Sequence, residues 1–151
     1  MRNLIVISGV LLIASCASLP TVLVSQTNYP HRIQGTFNKE QIKELILEGA
    51  KYAGWVTQDQ ENDNILATYQ IRVHTVNVNI NYTEEAYTVI YQSSTLMKMA
   101  CTYLDNNNAK YRVSGENNCP DNQPPVYIHE NYKVWVDSLV ASINRSLETG
   151  K

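Results

Sequence analysis

Between Ile65 and Tyr91 the apolar residues fall on alternate positions, and the alternation changes phase part-way along. Ile65, Ala67, Tyr69, Ile71 and Val73 alternate with Leu66, Thr68, Gln70, Arg72 and His74; Val76, Val78, Ile80 and Tyr82 then form a second apolar set, and Tyr87, Val89 and Tyr91 a third. A period of two sends successive side chains to opposite sheet faces. Because a one-residue slip exchanges those faces, the phase change demands a turn or bulge near residues 72 to 75. A second turn falls at Thr83 to Ala86. Both connections are too short for crossovers, so the strands form an antiparallel meander of three, with room for a fourth.

The other members of these runs are Gln70, Arg72, Thr75, Asn77, Asn79, Asn81, Thr88 and Gln92, which cannot line a dry core. A sheet buried on one side only, flanked by helical patterns, predicts an α+β fold with an N-terminal and a C-terminal helix on one face, in the order α-β-β-β-α. The first helix begins at Asn38, which caps it while Gln41 reaches back in a capping box. Ile42, Leu45, Ile46, Gly49, Ala50 and Ala53 mark its inner face, Gly54 ends it, and Trp55 is expected to fold onto the core. The last helix carries Ile128, Tyr132, Trp135, Leu139, Ile143 and Leu147 on one stripe, widened by Val136 and Val140, with Gly150 just past its end.

The amino end predicts an address. Arg2 is followed by the apolar run Leu4 to Ile13, broken only by Ser8 and Gly9. This is too short for a membrane span, which needs ~20 residues, and fits a secretory signal. Ile13-Ala14-Ser15-Cys16 resembles the bacterial lipobox, which implies a signal peptide over residues 1–15 and lipidation of Cys16. An ordinary signal cut near Ala17 would discard Cys16 and leave its position unexplained. Ala17 stands where an aspartate would hold an enteric-type lipoprotein at the inner membrane, so the resemblance implies the periplasmic face of the outer membrane. Residues 16–34 lack a helical period and contain Pro20 and Pro30; they are expected to be the lipidated cysteine and a tether, with a short edge strand from Thr21 to Ser25 compatible with it. Residues 35–151 then form a single domain.

Cys101 and Cys119 remain, and in an oxidising compartment they are expected to pair, stapling an asparagine- and proline-rich loop at about 97–127. Metal is the rival use, but two thiols without a third ligand fall short of a zinc set. Neither a metal nor a cofactor is expected. With 12 Lys and Arg against 14 Asp and Glu, scattered singly, the chain has no electrostatic footprint for nucleic acid. Charged residues are only 17% of the chain, so hydrogen bonding dominates its polar surface.

His74 and His129 are the candidates for chemistry, one at a strand turn and one at the start of the last helix. Two histidines are a weak metal signal, and structural hydrogen bonding is the simpler role. A hydrolase using Ser93 or Ser94 with a histidine and Asp137 lacks a nucleophile elbow. Glu84-Glu85 read as a solvated turn, and the tyrosines of the apolar sets as core. Asn77, Asn79 and Asn81 are less easily set aside, since asparagine is disfavoured in strands. No catalytic residue is assigned, and the candidate binding face is Gln70, Arg72, Asn77, Asn79, Asn81, Thr88 and Gln92.

GW at 54 to 55, the run from Ile71 to Tyr82, YTVIYQSSTL from Tyr87 to Leu96 and IHENYKVWVDSLVASI from Ile128 to Ile143 together resemble a family of small bacterial envelope lipoproteins of unassigned function. The resemblance spans roughly residues 35 to 148 and supplies no catalytic residues. Two departures are the long excursion before the last helix and Lys133, where the family commonly has asparagine. The resemblance supports the address and the fold; the leading functional expectation, drawn from the residues, is a lipid-anchored, non-enzymatic binding or structural module that meets a periplasmic protein or cell-wall glycan through its open sheet face or its stapled loop. The competing reading is a small envelope hydrolase or metal-dependent enzyme using His74 and His129.

Overall fold

A computed structural model describes residues 22–27, 30–105, 108–114, 119 and 125–150. The expected signal peptide, Cys16 and parts of the expected stapled loop lie outside the described residues. In chain order the elements are β1 (Val22–Leu23), a 3₁₀ turn (Val24–Thr27), β2 (Pro30–Arg32), α1 (Lys39–Tyr52), β3 (Val56–Gln60), β4 (Asn64–Ile71), β5 (His74–Tyr82), β6 (Ala86–Thr95), β7 (Met99–Asp105), β8 (Asn108–Ser114), β9 (Tyr127–Ile128) and α2 (Asn131–Thr149). They make two antiparallel sheets: five strands in the order β2-β6-β5-β4-β3, and four in the order β1-β9-β7-β8.

The alternating pattern maps onto the five-stranded sheet, with Ile65, Ala67, Val76, Val78, Ile80, Tyr82, Tyr87, Val89 and Tyr91 buried in one cluster with the helices. Both helices contribute to it, α1 through Ile42, Leu45, Ile46 and Ala50, α2 through Tyr132, Val136, Leu139, Ile143 and Leu147. The Asn38 and Gln41 capping box forms at α1, and Gly150 closes α2 in the left-handed conformation at φ 65°. At Gly49 the helices approach closely: a Cβ there would lie 2.6 Å from the Ile143 Cα. Lys39 with Asp63 and Lys43 with Asp59 pair the start of α1 with the β3–β4 hairpin, and these bonds push both lysines above their usual range.

The phase change comes from the turn between β4 and β5. Arg72, at φ 54°, turns the chain between β4 and β5, which pair from Ile71↔His74 inward. A bulge in β6 then leaves Gln92 between the pairs Val78↔Tyr91 and Asn77↔Ser93, so Ser94 faces inward.

The meander is larger than three strands. β3 extends it to four consecutive strands and β2 adds a fifth at the other edge. Residues expected to be tether also enter the fold, because β1 pairs with β9, β2 pairs with β6, and Val24 and Ile33 are buried in the main cluster. The region expected to be a stapled loop contains the β7–β8 hairpin and β9. Ile128 packs into the core from β9, not from the helix. A disulfide joins Cys101 to Cys119, with Cα atoms 5.5 Å apart, and these cysteines bury Met99 in a small cluster of their own.

Candidate functional site

The sheet face turned away from the helices is assembled from rows across the strands. Val56, Thr68, Asn77 and Ser93 make one row, Gln58, Leu66, Asn79 and Ile90 the next, and Gln60, Asn64, Asn81, Thr88 and Pro30 a third. Cross-strand neighbours on one face stand within reach of each other's side chains, and the amides use that reach. Thr68 Oγ1 donates to Asn77 Oδ1 at 2.7 Å, and Asn77 Nδ2 donates to Ser93 Oγ at 2.9 Å, tying three strands together. Asn79 Nδ2 donates to Gln92 Oε1 at 2.8 Å, a diagonal contact between β5 and β6.

Asn77 is therefore half-buried and engaged through both ends of its amide, whereas Asn81, Gln70 and Gln92 are exposed. Thr88 is half-buried between Asn81 and Pro30. Arg72 stands apart from the rows, in the hairpin turn. Sequence patterning missed Thr68 and Ser93, which complete the ladder, and Leu66 and Ile90, which set aliphatic carbon among the amides. It also missed Val56, Gln58 and Gln60 on β3. Along the described strands, Arg32 on the edge strand β2 is the one ionisable side chain whose register places it on this face. The surface is thus broad, nearly uncharged and rich in paired donors and acceptors.

The candidate catalytic groups are held elsewhere. His74 Nδ1 lies 2.9 Å from the Leu96 carbonyl, which only accepts, so that nitrogen carries the proton. His129 uses Nδ1 to accept from the Asn131 amide at 3.2 Å, and its backbone amide donates to the Lys98 carbonyl. Each is tied to the connector between β6 and β7 by its own bond. Among the described residues no group of three His, Cys, Asp or Glu is placed to hold a metal ion. Ser93 faces the polar side, Ser94 is buried and bonded to the Tyr91 hydroxyl at 2.9 Å, and Asp137 pairs with Lys133 on α2. The sheet stands between Ser93 and Asp137. The Glu84-Glu85 turn is organised by the Thr83 hydroxyl, which accepts from the amides of Glu85 and Ala86.

On the inner face, Tyr87 donates to Asn144 Oδ1 at 2.7 Å, and burial pushes the Tyr91 hydroxyl above its ordinary range, opposed by its bond to Ser94. His31 of β2 stacks on Tyr87 with ring centres 4.9 Å apart, and burial lowers its pKa against the opposing pull of Asp137.

Comparison of the chain with protein-family models, with curated proteins and with solved structures finds no match. The chemistry of the site therefore rests on its own geometry.

Proposed function

We propose that this chain is an outer-membrane lipoprotein, anchored through Cys16 on the periplasmic side, that serves as a non-enzymatic binding or structural module of the cell envelope. The observation that carries this reading is the nearly uncharged face of the five-stranded sheet, with its Thr68–Asn77–Ser93 ladder and the Asn79–Gln92 pair. A face so poor in charge selects a partner by hydrogen bonding and by contact with Leu66 and Ile90. That chemistry suits the hydroxyls and amides of a cell-wall glycan, or the polar surface of a periplasmic protein, and disfavours nucleic acid.

Lipidation of Cys16 rests on the lipobox, because Cys16 lies outside the described residues. Among the described residues no helix is long and apolar enough to cross a membrane. In-cell photocrosslinking from positions 79 and 110, followed by mass identification of the adducts, tests the reading. It predicts adducts to a protein or glycan from position 79. Adducts from 110 alone would move the partner surface to the β7–β8 hairpin, and no adduct from either position would refute a binding role.

A further inference from the structure

Among the described residues, the large apolar side chains left exposed are Tyr52, Val56, Ile71, Val73, Leu96 and Val134. All lie toward the end of the molecule that carries the Arg72–Val73 turn. Ile71 closes β4 and Val73 stands in the turn itself. Thr75 pairs with Thr95, so Leu96 leaves β6 at the same end, where its carbonyl meets His74. Val56 pairs with Thr68 at the start of β3, just after α1 ends in Tyr52. Trp135 packs on Tyr69, which places the first turns of α2, and Val134 with them, on this side as well.

Leu96 adds a second observation. It occupies the left-handed region at φ 57°, where a branched side chain is strained, and it remains 50% exposed. Burial in this chain gives no return for that conformation.

Charge is graded along the same axis. Arg72 and Lys98 lie beside Val73 and Leu96, with Glu130 at the start of α2 as the acidic exception, while the turns at the opposite end carry Glu61, Glu84 and Glu85 together with Asp63, which is paired with Lys39. The amino-terminal strand also enters from the apolar side. Val22, Ile128 and Met99 form one row across β1, β9 and β7, and β1 runs antiparallel to β9, so the amino end of β1 points to the side where β9 leads into α2. Six Cα steps separate Cys16 from Val22, a reach of at most roughly 20 Å in any conformation.

We infer that this pole is a membrane-contact surface: Ile71, Val73 and Leu96 insert at the headgroup boundary of an anionic bilayer while Arg72 and Lys98 meet its phosphates. The inference rests on the lipidation of Cys16, which brings the pole within reach of lipid. Apolar side chains flanked by basic ones bind such an interface through both terms, and the acidic turns point away from it. In this orientation the strands run away from the membrane and the polar sheet face is open from the side.

The test uses the full chain produced with its leader, purified and bound to phosphatidylethanolamine–phosphatidylglycerol vesicles. Val73→Cys and, at the opposite pole, Glu84→Cys are labelled with an environment-sensitive fluorophore; the Cys101–Cys119 disulfide and an acylated Cys16 do not react. Palmitate incorporation is scored on the same samples. The expected result is palmitate in both variants, with the probe at 73 shifted to the blue and quenched several-fold more than the probe at 84 by bromine-labelled lipid. Palmitate present with equal, water-like probes overturns the membrane contact alone. Absence of palmitate overturns the anchor and the contact together. A concentration-dependent shift at 73 without vesicles assigns the pole to a second copy of the chain and overturns the inference.

Discussion

The five-stranded sheet lies under two helices and shares with them a core that includes Ile42, Ile46, Val78, Val89 and Ile143, whereas the four-stranded sheet gathers its own small cluster from Met99, Cys101 and Cys119. One region is held by a large area of apolar contact, the other by a covalent link and by Ile128 and Val22, which pack on the main core from β9 and β1. Burial of that first kind scales with area, at about 25 cal/mol per Å² of apolar surface, so the main layer can leave its outer face polar without losing cohesion. Among the described side chains of the four-stranded sheet its own cluster is small, and a constraint on the unfolded state then supplies stability that burial does not.

The sharpest way to break this comparison is to remove the staple. Replacing Cys101→Ala together with Cys119→Ala should cost about 3 kcal/mol by loss of the loop constraint. Hydrogen exchange should locate that loss in β7 and β8, with amides of β4 to β6 nearly as protected as before. Equal loss of protection in both sheets would mean that the main layer depends on the staple, and the contrast would fail.

The next effect belongs to the main layer. Gly49→Ala places a methyl group 2.6 Å from the Ile143 Cα and 2.9 Å from its amide nitrogen, backbone atoms that cannot rotate aside. Overpacking of this kind costs about 1 to 3 kcal/mol and is offset in part by the better helix propensity of alanine, about 1 kcal/mol. A net fall in denaturation midpoint is expected, in contrast to the rise that the same change gives at an open helical site; a rise would show that the helices are less tightly opposed.

On the polar face, Asn77→Ala breaks the bridge from Thr68 to Ser93 and should cost about 1 kcal/mol, read as a lower melting temperature. An unchanged melting temperature would assign no stabilising role to the ladder. A smaller effect comes from His31. Burial lowers its folded pKa below the ordinary 6.5, so the unfolded chain binds the proton more readily. Its contribution is complete above pH 6.5 and is lost as pH falls from there through the lowered value. His31→Phe, which keeps the stack on Tyr87, should flatten the part of the melting-temperature decline that begins below that pH; an identical decline would exclude His31 as its source.

Legibility in the sequence followed the strength of the periodic signal. The apolar sets of β4 to β6 and the stripes of both helices identified the faces that the core uses, except that Ile71 and Val73 at the turn are exposed, and the pairing of Cys101 with Cys119 followed from the expected compartment and from count. β3 was hidden because VTQDQ has one apolar residue, Val56, and that one is exposed: Thr57 and Asp59 face α1, where Lys43 reaches Asp59, so no apolar alternation betrays the strand. β2 and β9 are too short to show a period, and their pairing is set by partners distant in sequence. The candidate face was legible in its asparagines but not in its bonding. Gln92 meets Asn79 as a diagonal neighbour across β5 and β6, and Ser93 joins the ladder because the bulge turns it outward.

The central claim is that the outer face of the main sheet binds while its inner face holds the fold. Asn79→Asp with Asn81→Asp tests it, because both positions point away from the core and the Gln92 amide can turn its NH₂ toward a carboxylate at 79. The pair places two negative charges on a nearly uncharged surface at little structural cost, since exposed changes usually stay within about 0.5 kcal/mol. With a photocrosslinking residue at Gln58, in the same row as Asn79, melting and in-cell crosslink yield are measured on one protein. The account predicts an unchanged melting temperature and loss of most of the crosslinked partner. Full crosslinking at an unchanged melting temperature would contradict it.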